Sequence, residues 1–116
     1  MTNARLFAGL ALIWGLAIAV GSLMPGEALP SALPWDKLQH ALGYGGLALL
    51  LYLSGRTRLW ALMVSFVFGI AIEYAQCLVP GRMGGDWADI LANTLGAVLG
   101  LFIATLVQYF GRLSRQ

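Results

Sequence analysis

The single histidine of this chain follows a carboxylate and an ammonium group at spacings that suit one turn of helix. Asp36, His40 and Tyr44 are four residues apart in turn, which places the three side chains on one helical face, and Lys37 precedes His40 by three residues. Imidazole titrates near neutral pH, so His40 is a candidate catalytic acid or base. Asp36, Lys37 and Tyr44 are candidate substrate-binding residues beside it.

A second candidate for proton chemistry is Glu73, which interrupts a long uncharged stretch six residues before Val79. With a rise of about 1.5 Å per residue, Glu73 lies about 9 Å inside that apolar segment. A charge at the centre of a membrane helix costs on the order of 3 kcal/mol, so an acid there is by default a functional residue with a partner. We predict Glu73 as a catalytic group and Gln76, on the same face, as a substrate-binding residue.

A third group of polar residues opens the last apolar segment. Asp86, Asp89 and Asn93 follow each other at three and four residues, and the same stripe continues as Gly96 and Gly100. Carboxylate and amide oxygens suit a hard cation, so Asp86 and Asp89 are candidate metal ligands and Asn93 is a candidate substrate-binding residue. Glycines four apart let helix backbones approach closely, and we expect them to draw this helix toward the Gly69 and Glu73 face.

The short segment between the last two groups contains Arg82, which we predict to lie over a pocket shared by all three groups. Its guanidinium is suited to pair with Glu73, with Asp86 or with an anionic ligand in bidentate geometry. Lys37 and Arg82 are therefore the predicted contacts for a phosphate or carboxylate of the substrate.

Four apolar segments must position these side chains. Of the 116 residues 59% are hydrophobic and only 10% are charged, against roughly 25% charged in soluble domains. Charges and Pro/Gly clusters divide the chain into spans at about residues 6–24, 38–55, 59–79 and 89–110, each near the ~20 residues that cross a bilayer. The spans lack the alternation of barrel strands. We predict an all-α, polytopic membrane protein whose single domain is a compact bundle of four transmembrane helices.

The basic residues predict the orientation of the bundle. Five of the seven fall on one side of the predicted spans: Arg5, Arg56, Arg58, Arg112 and Arg115. By the positive-inside rule, both termini are predicted to be cytoplasmic in a multi-pass protein of the cell membrane. The polar pocket then faces the extracytoplasmic side.

Residue counts exclude several kinds of chemistry. With His40 as the only histidine, neither a phosphatase with two catalytic histidines nor a zinc centre with two or three histidine ligands can be built. Cys77 is the only cysteine, so it is expected to be a small buried hydrophobe without a disulfide partner. The net charge of +2 is too small for a nucleic-acid footprint. Membrane lipids are the predicted partners, and the residues specify neither a cofactor nor an oligomeric state.

The polar residues taken in order resemble a known family. The set runs Asp36-Lys37-x-x-His40-x-x-x-Tyr44, Glu73-x-x-Gln76, Arg82 and Asp86-x-x-Asp89-x-x-x-Asn93-x-x-Gly96-x-x-x-Gly100. Over about residues 30–102 this order is similar to the VanZ-like family of small bacterial membrane proteins. The resemblance implies an integral protein of the bacterial envelope, in a family named for a member associated with teicoplanin resistance. It also implies that the functional residues are Asp36, Lys37, His40, Glu73, Gln76, Arg82, Asp86, Asp89 and Asn93.

Two functions from different classes remain open at this point. In the first, the pocket binds or modifies a lipid-linked envelope precursor or a surface glycan, with or without catalysis. In the second, the chain is a non-enzymatic binding, assembly or transport-accessory protein, and its polar residues are structural. The second interpretation makes Glu73 and Arg82 an ion pair, Asp36 and Asp89 helix N-caps, and the aromatic residues an interfacial belt. That belt would contain Trp35, Tyr44 and Trp87.

Overall fold

In a computed structural model of the protein, every long element within the described residues is a helix. The structure describes residues 2–25 and 36–116, without the side chains of Thr2 and Asp36. The elements are α1 (Thr2–Ser22), α2 (Asp36–Leu53), α3 (Arg58–Ala75) with a short 3-10 helix after it (Gln76–Leu78), and α4 (Trp87–Leu113). No strand occurs among the described residues, and the predicted all-α bundle is confirmed.

Side-chain caps fix where the last two long helices begin. The Thr57 hydroxyl accepts a hydrogen bond from the Trp60 N–H at the start of α3. At the start of α4, the Asp86 carboxylate accepts from the Ala88 N–H at 2.9 Å. Each bond satisfies one of the free N–H groups of a first helical turn. The alternative that made Asp89 the N-cap of this helix is therefore wrong, because Asp86 is the cap and α4 begins two residues before the predicted span.

Three of the four helices are long and apolar enough to cross a membrane: Asn3–Ser22, Arg58–Leu78 and Trp87–Leu113. The helix outside this group is α2, whose first turns carry the polar residues Lys37, Gln39 and His40. The position of α2 in the bundle explains why its lower hydropathy is compatible with a membrane. It contacts each of the other three helices, and Leu47 and Ala48 on it are buried in the bundle, so lipid meets less of its surface than of its neighbours'.

The helices run up and down in turn, which makes α2 and α4 parallel, and this pair has the most extensive contact in the bundle. Glycines allow that contact. A Cβ added to Gly96 would collide with the backbone of Ala41, and one added to Gly100 would lie 2.5 Å from the Gly45 carbonyl oxygen. The predicted close approach at Gly96 and Gly100 is therefore present, but it joins α4 to α2 and not to α3.

The bundle has two chemically different ends. The first, here named the arginine end, contains the starts of α1 and α3 and the ends of α2 and α4. The second, named the polar end, contains the opposite helix ends, and there Gln76 of the 3-10 helix donates to the Ser22 carbonyl of α1. Five arginines belong to the segments of the arginine end: Arg5, Arg56, Arg58, Arg112 and Arg115.

We expect the polar end to face the outside of the cell, and single cysteines test this. In a Cys77→Ala background, Met83→Cys should react with a membrane-impermeant maleimide on intact cells, whereas Gln116→Cys should react only after permeabilisation. Cys77 must be removed first because it is exposed, contrary to the sequence-based expectation. The opposite labelling pattern at both positions would place the polar end in the cytoplasm.

Candidate functional site

The first turns of the parallel helices α2 and α4 lie side by side and form an ion-pair cluster. The Lys37 ammonium pairs with Asp89, and it also lies 3.5 Å from the Asp86 carboxylate. Hydrogen bonding to Asp89 raises the pKa of Lys37 above its usual value. The Ala88 N–H, followed by the charge of Lys37, lowers the pKa of Asp86. Lys37 and Asp86 are thus charged at neutral pH, and the contacts of Lys37 with Asp86 and Asp89 fasten α2 to α4.

His40 lies one turn deeper and is oriented by two residues of α4. Its Nδ1 is 2.9 Å from Asn93 Oδ1, and its Nε2 is 3.7 Å from a carboxylate oxygen of Asp89. When Nδ1 carries the proton and donates to Asn93, Nε2 is the nitrogen that gains or loses a proton beside Asp89. Asn93 and Asp89 therefore hold the imidazole in a geometry suited to proton exchange.

Glu73 joins α3 to this cluster through the start of α4. Its side chain is only 1% exposed, and one carboxylate oxygen accepts a hydrogen bond from the Asp86 N–H at 2.9 Å. The backbone carbonyl of Glu73 accepts from the Gly85 N–H at 3.1 Å. Through Asp86, the buried carboxylate is connected to Lys37 and to the rest of the cluster.

Arg82 does not pair with Glu73 or with Asp86. Its Nε donates to the Met24 carbonyl at 3.0 Å, and its Nη2 donates to the Gly21 carbonyl at 2.7 Å. The last carbonyls of a helix have no partner within the helix and carry its negative partial charge, so the end of α1 is a favourable position for a guanidinium. The predicted pairing of Arg82 with Glu73 or Asp86 is therefore wrong. The alternative in which Glu73 and Arg82 form a structural ion pair is wrong for the same reason.

Gln76 belongs to the same neighbourhood as Arg82. Its side-chain amide is buried and donates to the Ser22 carbonyl at 2.9 Å. The two residues therefore attach the loop after α3 to the end of α1. Among the described contacts, neither reaches the cluster of Lys37, His40 and Asp89.

Tyr44 is buried between the helices, so it does not belong to an interfacial belt. Its side chain is 3% exposed, and its hydroxyl has no hydrogen-bond partner among the residues that the structure describes. Gly69 of α3 leaves room for the Tyr44 ring, because a Cβ there would lie 3.1 Å from that ring and 3.2 Å from the Asn93 amide nitrogen.

The other members of the predicted interfacial belt are tryptophans. Trp87 is 77% exposed and fits the belt. Trp35 lies outside the described residues, as does the side chain of Asp36, a predicted substrate-binding residue.

The two predicted metal ligands share a different cation. Asp86 and Asp89 both contact the Lys37 ammonium, which occupies the position between them. Within residues 2–25 and 36–116, no group of three or more His, Cys, Asp and Glu side chains is arranged to hold a metal ion.

Two glycines that helical spacing does not single out, Gly84 and Gly85, support the site. A Cβ on Gly84 would collide with the backbone of Cys77 and lie 2.7 Å from the Glu73 carbonyl oxygen. Gly85 has a φ of 71°, which side-chain-bearing residues rarely adopt. Together they let the loop fold back onto α3 so that Asp86 meets Glu73. The sequence signal for this tight loop is the pair of adjacent glycines directly before the N-cap Asp86.

Comparison with known proteins supports an assignment to a family. A family model described as VanZ/LLP1 matches residues 6–108, which is most of the chain and includes every residue of the polar cluster. Neither the comparison with curated proteins nor that with solved structures finds a significant match. The length of the family match shows that this helical membrane protein belongs to the VanZ/LLP1 family.

Proposed function

We propose that the polar end binds, and acts on, a saccharide headgroup that bears a phosphate or a carboxylate. A lipid-linked envelope precursor and a surface glycan both supply this chemistry. One observation carries the proposal: at the polar end, ionisable residues of α2, of α3 and of the start of α4 form a single cluster, and the Glu73 side chain in it is 1% exposed. Orientation in the membrane alone does not require such a cluster.

The proposed contacts follow from the chemistry of each group. Carboxylate and amide oxygens of Asp89 and Asn93 can accept hydrogen bonds from sugar hydroxyls. Arg82 uses two N–H groups on the carbonyls of Gly21 and Met24, and a guanidinium has five, so donors remain for a phosphate or carboxylate. Trp87, the first residue of α4, adds an exposed aromatic side chain at the same end of the bundle. Lys37, which is engaged by two carboxylates, holds the acids in place instead of receiving the anion.

His40 is the proposed group that exchanges a proton with the substrate. A hydroxyl of the substrate would lose its proton to Nε2, and Asp89 would stabilise the resulting imidazolium. Asn93 keeps Nδ1 occupied and so fixes which nitrogen reacts. Glu73 is the proposed second acid-base group, at the buried side of the cluster.

The competing function is that of a non-enzymatic binding or assembly protein. The observation in its favour is that Lys37 bridges two carboxylates of α4 and thereby fastens two helices. In that case the cluster sets the helix arrangement and touches no substrate.

Mass spectrometry of the material that copurifies with the protein tests the proposal. We expect the wild type to retain a lipid-linked saccharide or a soluble glycan fragment, and organic extraction separates these two sources. His40→Gln should retain much less of the same compound while showing the same thermal unfolding. Arg115→Gln, outside the polar end, is the control and should retain as much as the wild type. Equal retention by all three proteins, or none by the wild type, would contradict the proposal.

A further inference from the structure

A groove between α3 and α4 opens at the arginine end, far from the polar cluster. It is an open groove with a volume of about 390 Å³, lined by Arg58, Leu59, Leu62, Val98, Leu101, Phe102 and Thr105. Leu59, Val98 and Phe102 are exposed on the outer surface of helices long and apolar enough to span a membrane. The apolar wall is therefore placed to meet hydrocarbon, and Arg58 lies where the groove reaches the start of α3.

Arg58 is held rigidly by neutral groups. Its Nε donates to the Thr105 hydroxyl at 2.8 Å, its Nη2 donates to the Gln108 side-chain oxygen at 3.2 Å, and its guanidinium lies 4.7 Å from the centroid of the Tyr52 ring. These contacts fix the plane of the guanidinium and leave its positive charge uncompensated by any described side chain. A preoriented guanidinium with free N–H groups is well suited to bind a phosphate.

The surroundings strengthen the positive field. Arg56 lies over the Trp60 ring at 5.0 Å, and Arg112 is in the last turn of α4. None of the five acidic residues of the chain belongs to the segments that form this end. Basic side chains near a membrane surface attract anionic lipids.

We propose that this groove is a binding site for an anionic phospholipid, with one acyl chain along α3 and α4 and the headgroup phosphate on Arg58. The apolar wall provides affinity for the chain, and the fixed guanidinium provides selectivity for the anionic headgroup. The site is independent of the proposed function at the polar end.

Native mass spectrometry of the full chain in detergent tests this proposal, with phosphatidylglycerol and phosphatidylcholine of identical acyl chains as the probes. We expect phosphatidylglycerol to bind more tightly, and Arg58→Gln to weaken its binding about fivefold. The binding of phosphatidylcholine should weaken less, because its choline ammonium already offsets the charge of its phosphate. Arg115→Gln removes the same charge away from the groove and should change binding less than twofold. Val98→Phe, which fills the groove, should weaken the binding of both lipids.

Three outcomes would overturn the proposal. Equal binding of the two lipids by the wild type would remove the role of the anionic headgroup. An equal loss in Arg58→Gln and Arg115→Gln would indicate attraction to the whole basic end and not a site. Lipid-free dimers that Val98→Phe dissociates would assign the groove to a second copy of the chain. Thermal unfolding of each variant, compared with the wild type, separates these outcomes from misfolding.

Discussion

Replacing Gly96 by leucine is expected to disrupt the bundle. A Cβ at this position collides with the backbone oxygen and Cα of Ala41, and backbone atoms cannot move aside as a flexible side chain can. Adding side-chain volume to a well-packed contact commonly costs about 1–3 kcal/mol, and a collision with backbone belongs above that range. We expect the unfolding free energy to fall by more than about 3 kcal/mol, or folded protein to be lost.

The matched control is Gly9→Leu on the exposed surface of α1. A Cβ at Gly9 meets nothing within 4 Å, so the added side chain contacts only the surrounding lipid or detergent. Thermal unfolding in detergent, followed by tryptophan fluorescence, should show a wild-type transition for Gly9→Leu and an early or absent one for Gly96→Leu. Equal stability of the two variants would mean that α2 and α4 do not touch at this glycine.

Much of the fold could be predicted because hydropathy and helical spacing act locally. Long uncharged segments must satisfy their own backbone hydrogen bonds in a membrane, so the four helices follow from the sequence alone. The proximity of His40 to Asn93 also agrees with the sequence, since both lie at the same depth in their predicted helices. Depth along a helix is set by residue count, which is why this part of the prediction was correct.

The sequence could not specify which neighbouring helix each helical face packs against. The stripe of Gly96 and Gly100 predicts a close approach but is equally compatible with α2 or α3 as the partner, and the structure has α2. Arg82 lies in a loop whose backbone path is not encoded by periodicity, so the sequence does not indicate that Arg82 donates to the carbonyls of Gly21 and Met24 and not to the acids. Both errors concern packing between elements, which spacing along the chain does not determine.

Glu73→Gln is the second change with a large expected effect, this time on function and not on folding. Glutamine is nearly isosteric, and its side-chain oxygen can still accept the hydrogen bond from the Asp86 N–H. No described ion pair is broken, because Arg82 is bound to α1 instead of to Glu73. We expect wild-type stability to within about 1 kcal/mol, together with loss of function, because a neutral amide cannot exchange a proton.

Ser65→Ala is the control on the same helix. Ser65 is also 1% exposed, and its hydroxyl has no hydrogen-bond partner among the described residues, so its removal leaves no group unsatisfied. This variant should match the wild type in both stability and function. It separates a disturbance of the buried face of α3 from a specific requirement for the carboxylate.

Complementation of a deletion strain by Glu73→Gln is the most direct test that the polar end is a functional site and not a scaffold. Susceptibility to envelope-acting antibiotics would be measured, with the membrane level and thermal unfolding of each variant determined in parallel. We predict that Glu73→Gln is present at the wild-type level, unfolds at the wild-type temperature and fails to complement, whereas Ser65→Ala complements fully. Full complementation by Glu73→Gln would contradict a chemical role for the carboxylate and assign the cluster to structure.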